Sequence, residues 1–130
     1  MWADIMARVC GQPFASEPAS LAGHRRHPVL GEDYPGLRPA PDSDVRGVLY
    51  RGVDAAAWAR LDAFEGAQYE RASVLVTLAD GNTLSAQVYR FRDAFVQQLL
   101  PGDWDVDAFA REGRTRFMAR YAGFAVVGSR

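Results

Sequence analysis

The sequence predicts an α+β domain built on a mainly antiparallel sheet, and three observations carry that prediction. Residues 72–78 and 84–92 alternate apolar and polar side chains on either side of Asp80-Gly81, the pattern of a β-hairpin. Residues 54–66 combine good helix formers with an aspartate able to cap the start and a glycine able to end it. Residues 45–53 are rich in β-branched and aromatic side chains between Asp44 and Asp54, as befits a strand.

The elements follow in order. Ile5, Met6 and Val9 fall at helical spacing, so residues 4–9 read as a short helix ended by Gly11 and Pro13. Residues 14–30 set small and apolar side chains around Gly23 and the basic run His24-Arg25-Arg26-His27, which predicts two strand segments meeting at a turn. Residues 33–44 hold Pro35, Gly36, Pro39, Pro41 and Asp42, a density of breakers that predicts a loop. The strand at 45–53 leads into the helix at 54–66. On that helix Ala57, Leu61 and Phe64 form one stripe, and Trp58, Asp62 and Glu65 form its neighbour.

In the hairpin, Ala72, Val74, Val76 and Leu78 share a face that Leu84, Ala86 and Val88 continue. Beyond Pro101-Gly102, Asp103 or Asp105 caps a last helix that buries Val106, Phe109, Phe117 and Tyr121 and stops at Gly123. Gly113 in its middle weakens that helix by ~1 kcal/mol relative to alanine or marks close packing. No internal repeat, low-complexity tract or linker divides the chain, so residues 1–130 read as one domain.

Composition narrows the chemistry. With 48% hydrophobic residues and a formal net charge of -1, the chain has the balance of an ordinary globular protein, and no nucleic-acid partner is expected. No run approaches the ~20 apolar residues of a membrane span, and Met1 to Phe14 lack the pattern of a secretory leader. A cytoplasmic location without membrane association is therefore expected. Cys10 is the single cysteine, which rules out an internal disulfide and leaves a cysteine zinc site without partners. All 15 basic residues are arginine, which excludes Schiff-base chemistry, pyridoxal phosphate attachment and the lysine of a phosphate-binding loop. There is no G-x-S-x-G elbow and no dinucleotide fingerprint.

What remains is one carboxylate acting without a cofactor. Glu65 stands in the last turn of its helix, where the helix dipole and a neighbouring core both disfavour a negative charge. A glutamate so placed exchanges protons near neutral pH. The plainer reading makes Asp62 and Glu65 solvated surface charges, or pairs Asp62 with an arginine such as Arg71. His24 and His27, three apart in a strand, point to opposite faces and lack a third ligand, so no metal is expected. Arg111, Arg114, Arg116 and Arg120 read as a solvated helix face, with Asp105, Asp107 and Glu112 close by in sequence.

The run Leu61-Asp62-Ala63-Phe64-Glu65-Gly66-Ala67-Gln68-Tyr69-Glu70-Arg71, preceded by Val48-Leu49-Tyr50-Arg51, resembles the γ-glutamylcyclotransferase-like family of avirulence-induced-gene-like proteins. Tyr34-Pro35-Gly36-Leu37, Val74-Leu75-Val76 and Gln87-Val88-Tyr89 extend the likeness over residues 19–89. The resemblance implies a small, mainly antiparallel β-barrel with flanking helices. It also implies cyclisation of a γ-glutamyl group to 5-oxoproline with release of an amine or amino acid, with Glu65 as general acid/base. Tyr34, Tyr69 and Tyr89 become the candidate substrate-binding residues. No cofactor is implied, and the partner is a small γ-glutamyl substrate. The family's first strand carries a Y-G-[ST]-L stretch that this sequence does not contain, and Met1-Trp2 resemble the residues that follow it. That implies a chain lacking its first strand, with an unpaired sheet edge through which a homodimer could form. The alternative function is a non-catalytic small-molecule-binding or interaction module of the same fold.

Overall fold

In the computed structural model, which describes residues 3–109, α1 (Ala3–Cys10) leads into two long strands, β1 (Ser16–Pro28) and β2 (Pro35–Tyr50). Then come α2 (Ala55–Glu65), the hairpin β3 (Tyr69–Leu78) and β4 (Thr83–Phe91), a 3-10 helix over Asp93–Gln98 and the turn α3 (Val106–Ala108). The strands pair antiparallel in the order β2-β1-β3-β4, so the α+β antiparallel class is as the sequence predicts.

The expected barrel is an open, curled sheet among the described residues. β1 meets β3 only at Ala19–Leu78 and Ser20–Thr77, while β2 and β4 are edges. The two edges approach at one end, where Arg38 Nη1 donates to the Phe91 carbonyl at 3.0 Å and pairs with Asp93 at 2.5 Å. A side chain there bridges what a backbone ladder would join in a closed barrel.

Two other expectations are corrected. Residues 14–30 are not two segments around a turn: β1 is one strand whose register shifts between Ala22 and His24, where the single Gly23 stands opposite residues 40–43, so that the bulge belongs to β2. Nor are residues 33–44 a loop, since from Pro35 onward they are the first half of β2: residues 35–39 pair with 24–28, and after the bulge at 40–43 Asp44 pairs with Ala22. β2 is an edge strand, where half of the N–H groups face away from the sheet and proline removes nothing the ladder needs. The strand expected at 45–53 is the second half of the same element and ends at Tyr50.

The helix and the hairpin form as their local signals dictate. Asp54 accepts a hydrogen bond from Ala57 N at 2.8 Å, and Gly66 N donates to the Asp62 carbonyl at 3.1 Å. Gly66 has φ 79° and ψ -167°, a conformation essentially confined to glycine, although not the left-handed helical one expected. Asp80 accepts from Asn82 N at 2.9 Å within the turn of the hairpin. Asp105, rather than Asp103, caps α3 by accepting from Ala108 N at 2.9 Å, while Asp103 pairs with Arg25 at 2.7 Å. The rest of the helix expected there, with Gly113, Phe117, Tyr121, Gly123 and the four arginines, lies outside the described residues.

Apolar side chains gather in three clusters. Ile5, Met6, Val9 and Cys10 of α1 pack with Ala57 and Leu61 of α2 and with Phe109. Leu21, Leu37 and Val76 bind the sheet together with Val74, Leu84, Ala86 and Val88, the hairpin face read from the alternation. Val29, Tyr69 and Phe91 close the end where the edges meet. The chain after the 3-10 helix runs back along β1: Leu30 N donates to Gln98 O and Leu100 N to Pro28 O, both at 2.8 Å. No helix among the described residues is long and apolar enough to cross a membrane.

Candidate active site

α2 lies between two surfaces. Its Ala57 and Leu61 stripe is buried against α1, with Phe64 packed on the same cluster. The neighbouring stripe, Trp58, Asp62 and Glu65, faces the β3–β4 hairpin. Arg71 and Tyr89 are direct cross-strand partners, as are Tyr69 and Phe91, so the period of two sets Tyr69, Arg71 and Tyr89 on one face of the hairpin. The stripe and the row form a seam: the Trp58 and Tyr89 rings lie 6.3 Å apart, the Tyr89 hydroxyl donates to Asp62 Oδ1, and Arg71 Nη2 lies 3.7 Å from Asp62 Oδ2. Arg71 also stands over the Trp58 ring, its guanidinium carbon 4.6 Å from the centroid. Asp62 thus pairs with Arg71, as the plainer sequence reading allowed.

Glu65 ends α2 and is half-buried at that seam. Burial pushes its carboxyl up to about 7. The dipole at the helix C-terminus acts in the same direction. Its charge is felt by Tyr69 and Tyr89, both of whose hydroxyls are held strongly protonated, first by burial and then by neighbouring negative groups. For Tyr69 the negative groups are the carboxylates of Glu65 and then Glu32; for Tyr89 they are Asp62 and then Glu65.

The structure therefore sets Tyr69 and Tyr89 beside Glu65 and Tyr34 behind Tyr69, in two groups. Tyr34 and Tyr69 are neighbours, with ring centroids 6.0 Å apart, and Tyr89 belongs to the Trp58–Asp62–Arg71 group. Each hydroxyl donates to an acceptor inside the protein: Tyr34 to Gln68 Oε1 at 3.0 Å, Tyr69 to the Pro35 carbonyl at 2.7 Å, and Tyr89 to Asp62. All three hydroxyls are thus already engaged within the protein. Glu65, beside Tyr69 and Tyr89, is the carboxyl that burial raises to about 7.

Sequence reasoning missed the amide chain behind Tyr34. Gln68 Nε2 donates to Gln98 Oε1 at 2.6 Å, which links the hairpin to the 3-10 helix. Gln68 lay in view within the motif, but Gln98 arrives only because the chain returns along β1. Trp58 was legible as a member of the stripe, yet not as the platform for Arg71.

Residues 3–106 match the family described as gamma-glutamyl cyclotransferase, AIG2-like. The chain belongs to that family. AIG2-like protein A of Arabidopsis thaliana is 26% identical over 104 residues, which cover 79% of this chain and 62% of that protein. AIG2-like protein C of the same plant is 28% identical over 101 residues, covering 77% and 58%. The chain thus spans about three fifths of the length of these curated relatives. Two A. thaliana proteins solved in solution share the fold of this AIG2-like chain. One has a TM-score of 0.68 at 20% identity, covering 99% of this chain and 78% of the other. The second has a TM-score of 0.65 at 22% identity, covering 99% and 87%.

Proposed function

We propose that this AIG2-like chain cyclises γ-glutamyl compounds, with Glu65 as the single acid/base. The observation that supports it is the position of Glu65 at the end of α2, half-buried on the seam between Tyr69 and Tyr89 and holding its proton up to about 7. In the reaction the substrate's α-amine attacks its own γ-carbonyl carbon, forming the ring C–N bond of 5-oxoproline. Glu65 takes a proton from the attacking nitrogen and returns it to the leaving nitrogen as the original amide C–N bond breaks. One proton moves between two nitrogens, so one carboxylate suffices, and its affinity near neutrality serves both halves of the transfer. No nucleophile from the protein is required, because closing a five-membered ring is intramolecular and gains the corresponding entropic advantage.

The test is 5-oxoproline release from a panel of γ-glutamyl compounds by the wild-type chain and by Glu65→Gln. The substitution preserves size and removes the acid/base function, so the rate is expected to fall ~10²-fold or more while the thermal transition is retained. Equal turnover by the two proteins would remove Glu65 from the mechanism. Absence of turnover by the wild type would remove the enzyme reading.

A further inference from the structure

We propose that Arg71 is a specificity-determining residue that receives a carboxylate on the departing half of the substrate. The chain would then act on γ-glutamyl amino acids or peptides in preference to γ-glutamylamines that carry no acid. This inference rests on the acid/base reading of Glu65 and adds to it the chemistry of the leaving group.

The geometry supplies three arguments. Arg71 lies on the same seam as Glu65, tied to Asp62, which precedes Glu65 by one helical turn, ~5 Å along the axis. The α-carboxylate of a departing amino acid is two bonds from the nitrogen that Glu65 protonates. It therefore lies ~2.5 Å from that nitrogen, and with a hydrogen bond of ~3 Å at each end the substrate reaches from the Glu65 carboxyl to a guanidinium one helical turn away along the seam.

Arg71 also has donors to spend. Its closest approach to Asp62 is 3.7 Å, beyond hydrogen-bond length, and the other Asp62 oxygen accepts from Tyr89. A guanidinium carries five N–H groups, more than Asp62 engages, and the Arg71 side chain is 36% exposed.

Finally, the group is held in place. The Trp58 ring lies under the guanidinium, and a planar fork supported on its face presents its N–H edge, the geometry that a carboxylate meets with two parallel hydrogen bonds. Glu70, the adjacent acid on β3, is taken by Arg92 at 3.6 Å.

The experiment uses a matched pair, γ-glutamyl-alanine and γ-glutamyl-ethylamide, which differ only by the carboxylate. The wild-type kcat/KM for the alanine compound is expected to exceed that for the ethylamide about tenfold or more. In Arg71→Gln the ratio falls to near one. Arg71→Lys keeps the charge without the fork and lowers the ratio part of the way, which preserves the test if the glutamine variant folds poorly. An unchanged ratio in both variants, or a wild-type preference for the ethylamide, overturns the proposal. If the wild type turns over neither compound, the acid/base reading fails, and calorimetric titration with the same pair decides this one. Tighter binding of the alanine compound that Arg71→Gln abolishes sustains it; equal affinities, or no binding, overturn it.

Discussion

The Tyr89 hydroxyl donates its hydrogen bond to Asp62 Oδ1, fastening the hairpin to α2 one helical turn before Glu65. On its other stripe the helix is held by apolar packing of Ala57 and Leu61, which fixes where the helix lies. The polar tie fixes how its last turn is rotated toward the hairpin. Glu65 inherits its orientation from both.

Tyr89→Phe should therefore loosen that turn without emptying a core. The Asp62 side chain is 46% exposed and keeps Arg71 nearby, so water and the guanidinium compensate part of the loss. A destabilisation of ~1 kcal/mol by urea unfolding is expected. Faster hydrogen exchange of the Gly66 amide, which donates to the Asp62 carbonyl, should accompany it. Wild-type exchange at Gly66 would show that the tie does not hold the turn.

A second prediction concerns pH. Burial raises the Glu65 carboxyl from 4.5 to about 7. A raised affinity means that the protonated folded form is favoured, so the contribution is complete below about pH 4.5 and is lost as pH rises through about 7. For this half-buried group the loss is on the order of 2 kcal/mol. The difference in unfolding free energy between wild type and Glu65→Gln, followed from pH 4.5 to 8, isolates it from the other carboxylates. A flat difference would mean that the carboxyl is solvated. If the chain is active, kcat/KM should also rise through about pH 7 as Glu65 loses its proton.

The parts of the structure legible in the sequence are those governed by neighbours along the chain. The cap at Asp54, the stop at Gly66 and the alternation on either side of Asp80-Gly81 each act within a few residues, and all three appear where the pattern put them. Glu65 was legible for the same reason, as the end of a strongly marked helix. The prolines of β2 misled because their tolerance depends on the strand being at a sheet edge, which no local window contains. Gln98 escaped notice because its place behind Gln68 is set by the return of the chain along β1.

Asp54 carries a third prediction. Its carboxylate accepts from Ala57 N at 2.8 Å and satisfies one of the unpaired donors at the start of α2. Asp54→Ala should cost ~1 kcal/mol, and Asp54→Ser, which retains a capping oxygen, considerably less. Equal losses in the two variants, measured by urea unfolding, would show that the carboxylate acts other than as a cap.

The last prediction tests the closure of the sheet's edges. A Cβ added at Gly36 of β2 would lie 2.6 Å from Leu99 Cδ2 and 3.0 Å from Phe91 Cδ1. Leu99 can turn its side chain aside, but Phe91 has 0% exposure and is boxed by Tyr69 and Phe95, so the ring has nowhere to go. Gly36→Ala is expected to cost ~1–3 kcal/mol through overpacking. Leu99→Ala alone also destabilises by removing apolar contact, yet it vacates part of the space the new methyl needs. The double variant should therefore be more stable than the sum of the two single losses predicts, by at least ~0.5 kcal/mol. Simple additivity in urea unfolding would mean that the Phe91 ring alone meets the methyl, and a neutral Gly36→Ala that the edges of β2 and β4 stand farther apart than this packing requires.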